Sequence, residues 1–89
     1  MLSEIKESIG ALPPLLKRQV RSGLDIIQED PHAGKPLQDE LLGFWSYRVN
    51  RYRIIYAIHQ RQIEIQIIDV GPRAIIYDRV LAWKRGLKE

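Results

Sequence analysis

The hydrophobic period changes at Gly43, and that change constrains the fold more than any other feature of the chain. Before it, Leu16, Val20, Leu24 and Ile27 recur at the spacing of one helix face. Pro13-Pro14 suits the first turn of this helix, and Asp30-Pro31 ends it, because the residue before proline is pushed out of helical geometry. Ahead of it, Ser3 can cap a shorter helix with Ile5, Ile9 and Leu12 on one side, giving a helical hairpin. His32 to Glu40, with Gly34 and Pro36, reads as a loop. From Gly43 the period is two. Trp45, Tyr47 and Val49 alternate with Phe44, Ser46 and Arg48, and further strands run from Tyr52 to His59 and from Gln62 to Val70. Gly71-Pro72 closes the last strand, and Ile76, Val80, Trp83 and Leu87 form one stripe of a C-terminal helix. The expected architecture is α+β: an N-terminal helical hairpin packed on an antiparallel meander, followed by a C-terminal helix, in a single domain spanning residues 1–89.

The breaks at Asn50-Arg51 and Gln60-Arg61 fix a register if both are two-residue turns. Val49 then opposes Tyr52, Tyr47 opposes Ile54 and Trp45 opposes Tyr56. In the second hairpin Ile58 opposes Ile63, Tyr56 opposes Ile65 and Ile54 opposes Ile67. One face is continuously apolar and requires the early helices as cover. The other, with Ser46, Arg48, Arg53, Ile55, Ala57, His59, Glu64, Gln66 and Ile68, is mixed and expected to be wet.

Charge follows the same division. Residues 1–31 carry four basic and five acidic side chains, whereas residues 32–89 carry ten and six, mostly arginine on the basic side. Guanidinium is a planar fork suited to phosphate, so a polyanionic partner is expected. Cysteine is absent, which excludes a disulfide framework and thiolate metal sites and fits a reducing cytoplasm. The longest apolar run, Ile54 to Ile58, is too short to span a bilayer. Two histidines far apart make no metal site, and no cofactor is expected.

On the wet face, Arg48 falls directly opposite Arg53. Like charges so placed cost roughly 0.2–1 kcal/mol, and local violations of this kind gather at functional sites. Arg73 follows the neighbouring strand within reach of the same patch. Three arginines around one patch make a phosphate clamp; the structural alternative is that each points into solvent or pairs with Glu64 or Asp69.

The run from Gly43 to Tyr56, GFWSYRVNRYRIIY, followed by Ile68-Asp69-Val70-Gly71-Pro72-Arg73 and Tyr77, resembles the RelE/ParE superfamily of bacterial and archaeal toxins. The resemblance implies a type II toxin whose partner is a cognate antitoxin, with a toxin-antitoxin heterotetramer as one assembly. In the RelE branch it implies an endoribonuclease that cuts mRNA in the ribosomal A site by attack of the ribose 2′-hydroxyl on the adjacent phosphate, without metal. Carried over by position, Arg48, Arg53, Arg73 and Tyr77 are the expected catalytic set. Ser46, Arg51 and Lys35 are the expected RNA contacts. Many members begin with a strand ahead of the hairpin; the three-strand sheet read here has unpaired edges, and at least one is expected to be occupied by antitoxin or by a second copy through strand addition. Arg79, on the last helix, is expected to be an inert surface residue.

Two other activities remain open at this level. Members of the ParE branch inhibit DNA gyrase by binding; Arg53, Arg73 and Tyr77 lean towards the nuclease, while Pro72, where many nucleases carry histidine, leans towards ParE. The third reading is an inactive module that pairs with antitoxin to repress its operon.

Overall fold

A computed structural model describes residues 9–61 and 64–87 of the chain. They form helix α1 (Pro14–Glu29), strands β1 (Lys35–Pro36), β2 (Phe44–Val49), β3 (Tyr52–His59) and β4 (Glu64–Pro72), and helix α2 (Arg73–Leu87). The strands pair antiparallel in chain order. The α+β class and the meander agree with the sequence reading. Of the expected first helix, Ile9 and Gly10 are helical and Ile9 is buried. Ser3, Ile5 and Ile63 lie outside the described residues, as does the side chain of Leu87.

Helix α1 begins where proline permits and stops where proline forbids. Pro14 occupies its first turn. Asp30 is already extended at φ −138° ahead of Pro31, and its carboxylate accepts from the His32 N–H at 3.1 Å. Val20, Gly23 and Ile27 are buried against the sheet. A Cβ on Gly23 would lie 2.9 Å from Val49 Cγ2, so the helix approaches β2 more closely than alanine allows. The resulting core holds Ile54, Tyr56, Val49 and Val70, with Trp45, Tyr47, Tyr52, Ile58, Ile65 and Ile67 around it. Apart from Val70, which the β-bulge brings in, these strand residues are the apolar face read from the alternation.

Three expectations need correction. The loop at His32–Glu40 contains strand β1, whose Lys35 and Pro36 pair with Ser46 and Trp45. Tyr56 pins it: its hydroxyl donates to Pro31 O at 2.7 Å and accepts from the Gly34 N–H at 3.1 Å. A Cβ on Gly34 would sit 2.6 Å from that hydroxyl.

The second correction is the register of the second hairpin. Ile58 opposes Ile65, Tyr56 opposes Ile67 and Ile54 opposes Val70, with a β-bulge beside Ile55. Gln60 and Arg61 lack the positive φ that a tight two-residue hairpin turn demands, and the connection takes four residues, from Gln60 to Ile63. A shift by two preserves the faces; the bulge then adds one residue, and Asp69 comes to lie opposite Ile55.

The third concerns the wet face. Its centre is a second core, in which Ile55, Ile76 and Val80 are buried with Phe44, Ile68, Tyr77, Leu37 and Leu41 packed around them. The α2 stripe lands there, so only the ends of that face meet solvent.

Candidate active site

The first hairpin has the expected register. Asn50 takes φ 58°, which asparagine tolerates, and the tight turn sets Arg48 opposite Arg53. Gly71 of β4 is the next residue across. Arg48, Arg53 and Gly71 thus form one row on the α2 side of the sheet, and Lys35, Ser46, Ile55 and Asp69 form the adjacent row.

Helix α2 completes the surface. Its first residue, Arg73, donates its backbone N–H to Arg51 O at 2.8 Å, tying the hairpin turn to the helix start. One turn on, the Tyr77 hydroxyl lies 3.1 Å from Ser46 Oγ. Ser46 is buried and Tyr77 half-buried, so the pair forms a hydroxyl couple at the edge of the second core. The backbone bond and the hydroxyl couple bring Arg51, Arg73 and Tyr77 to the rows that hold Arg48, Arg53, Ser46 and Lys35. Register and these two bonds make Lys35, Arg48, Arg51, Arg53, Arg73 and Tyr77 neighbours along this part of the surface, with Ser46 buried beneath it.

Its electrostatics are one-sided. Among the described residues the ion pairs are Arg79–Asp69 at 2.6 Å and Arg85–Glu40 at 2.9 Å. Neither involves the clustered arginines. Arg48 Nε donates to Asn50 O at 3.2 Å. Arg53 is half-buried, and its buried Nε has no acceptor among the described residues. Leaving a buried donor unpaired costs about 1–3 kcal/mol, so this arginine is held where the fold alone gains little from it. Such a surface can bind a polyanion and stabilise negative charge developing on a phosphate. Among the described residues no three His, Asp or Glu side chains gather as metal ligands.

Arg79 is not inert. Its guanidinium grips both Asp69 oxygens, at 2.6 and 3.1 Å, and donates to Val70 O at 3.0 Å. It fastens α2 to the bulged strand. Sequence spacing missed this because the bulge turns Asp69 towards the helix. His59 pairs with Gln66 at 2.8 Å at the far strand end, away from the arginine row. His32 lies edge-on to the Trp45 ring.

Residues 2–77 match the model of a family described as the ParE toxin of the type II toxin-antitoxin system parDE. Two curated toxins of Mycobacterium tuberculosis H37Rv are similar. Toxin RelG is 40% identical over 55 residues, which cover 62% of this chain and 63% of RelG. Toxin RelE is 39% identical over 49 residues, covering 54% and 50%. The chain thus spans less than two thirds of either relative. Among solved structures, the toxin-antitoxin complex RelBE2 of the same organism contains a chain that superposes with a TM-score of 0.71 at 28% identity, covering 81% of this chain and 91% of that one.

Proposed function

The chain belongs to the ParE toxin family of type II toxin-antitoxin systems, within the RelE/ParE superfamily, and from that premise we propose that it is an endoribonuclease that cuts mRNA at the ribosomal A site. The observation that carries the reading is the Arg48–Arg53 row, where two arginines are direct cross-strand neighbours and neither forms an ion pair among the described residues. Arg53 and Arg48 bind the scissile phosphate, and Arg73 closes the third side. The ribose 2′-hydroxyl attacks the adjacent phosphorus, the 5′-oxygen leaves, and a 2′,3′-cyclic phosphate remains. The nucleophile belongs to the substrate, so the protein's task is to orient it and to stabilise charge on the pentavalent phosphorane. Tyr77, fixed by Ser46 at 3.1 Å, orients the attacking hydroxyl. Arg51 and Lys35 hold the flanking backbone. The chemistry calls for no metal.

The solved neighbour is a toxin-antitoxin complex, which supports a cognate antitoxin as partner. No described helix is long and apolar enough to cross a membrane, and mRNA as substrate would place the protein in the cytoplasm.

Cell-free translation followed by primer extension tests the reading. Cuts within codons at stalled ribosomes are the expected result. The matching family model is that of the ParE toxin, and the resemblance to that branch supplies one alternative, a gyrase inhibitor. Accumulated gyrase–DNA cleavage complexes with intact mRNA would establish that reading instead. If neither appears, the chain acts through its antitoxin alone.

A further inference from the structure

Strand β1 covers β2 only at Ser46 and Trp45, so among the described residues the β2 edge is bare beyond Ser46. Leu37 donates its N–H to Phe44 O across this edge. Strand alternation then turns the Arg48 N–H and C=O outward as well. Between that edge and α1 runs an open groove of about 390 Å³. Arg18, Ser22 and Ile26 of α1 line one side, and Tyr47, Arg48 and Asn50 of the first hairpin line the other. No carboxylate lines it. Ile26 is 43% exposed, an apolar surface left open in a groove that two arginines also line.

We propose that this groove seats a nucleotide adjoining the scissile phosphate, with its phosphate on Arg18 and its base against Tyr47 and Ile26. The proposal rests on the endoribonuclease reading and extends it from the sheet face onto α1. Arg48 is the link, because it stands both in the Arg53 row and in the groove wall. A strand bound at the clamp therefore meets a second cation without leaving a positive surface. Donors flanking an aromatic and aliphatic floor suit a base attached to its phosphate. The serine hydroxyl and the outward Arg48 N–H add neutral donors to the same ligand.

The test uses 2′-O-methyl RNA, which lacks the attacking hydroxyl, as one oligonucleotide limited to the scissile step and one extended on both sides. Affinities are read by fluorescence anisotropy at several salt concentrations. Wild type is expected to prefer the extended RNA. Arg18→Gln is expected to weaken the extended complex about tenfold, the effect of one charge-assisted contact, and to leave the short one unchanged. Its salt slope should fall by about 0.7, one single-strand phosphate contact. Arg18→Lys should keep that slope, and both variants should melt with wild type. Wild type that cuts mRNA but does not prefer the extended RNA overturns the groove alone, as does Arg18→Gln that binds it undiminished. Loss of affinity for an antitoxin peptide with RNA binding intact assigns the edge to a peptide strand and also overturns it. Wild type that neither cuts mRNA nor binds either oligonucleotide removes the endoribonuclease reading and the groove together.

Discussion

Single side chains divide the arginines into two kinds. Arg79 and Arg85 are fastened to carboxylates, whereas Arg48 and Arg53 face each other. Replacing Arg79 by alanine should therefore lower the melting temperature. It removes a bidentate carboxylate contact and the donor to Val70 O. Ser46 and Tyr77 allow a finer separation. Tyr77→Phe keeps the ring in the second core and removes the hydroxyl. Cleavage is expected to fall about tenfold or more, with a stability change near 1 kcal/mol, the net worth of one hydrogen bond. Equal losses in a melt and in a cleavage assay would make the couple structural only. The Arg48–Arg53 juxtaposition was legible because a two-residue turn at Asn50 leaves one register, and register alone sets the two arginines opposite each other. The role of Arg79 was not legible. It depends on which way Asp69 points, and a bulge decides that.

At the level of elements, strand β1 and the 3-10 turn before it (Pro31–Ala33) hang on one phenol. Tyr56 is fully buried, donates to Pro31 O and accepts from Gly34 N. Burial pushes its pKa above the ordinary tyrosine value, while the Gly34 bond opposes the shift. The neutral phenol is therefore the form that the fold stabilises. Its contribution is complete below the unfolded value, near about 10, and is lost as pH rises through the higher folded value. Urea melts at rising alkaline pH should show wild type losing stability in that window, and Tyr56→Phe losing less. At neutral pH the same substitution should cost about 1–3 kcal/mol, because it orphans two backbone groups. Parallel alkaline profiles for the two proteins would contradict the assignment. The strand itself escaped sequence reading because two residues carry no period; pairing with Ser46 and Trp45 makes them a strand, and the bonds of Tyr56 to Pro31 and Gly34 hold the preceding turn in place. The second hairpin turn misled for a different reason, since neither Gln60 nor Arg61 dictates a turn type.

At the level of the whole molecule, α2 is held over the sheet at both ends. Arg73 N–H bonds to the first hairpin turn at its start. Near its end, Arg85 pairs with Glu40, Lys84 reaches Glu40 O and lies over the Phe44 ring, and Trp83 packs at 6.4 Å from that ring. The Arg85–Glu40 pair is exposed, so it adds little stability and the closure rests on Ile76 and Val80. A bound antitoxin that disturbs this end should change the fluorescence of Trp83, which is 39% exposed. An unchanged spectrum at saturation would make α2 a fixed element.

Arg53 separates a phosphate clamp from a structural arginine most directly. Its Nε is buried without an acceptor and its neighbour across the strand is another arginine. Arg53→Ala should therefore melt at or slightly above the wild-type temperature while cleaving mRNA about a hundredfold more slowly, the scale for losing one preorganised donor. Arg61→Ala, in the exposed turn that follows β3, should match wild type in both. The decisive measurement is thermal melting and primer-extension cleavage of these proteins side by side. A stable Arg53→Ala protein that no longer cuts is the expected result; one that melts lower and still cuts would contradict the clamp.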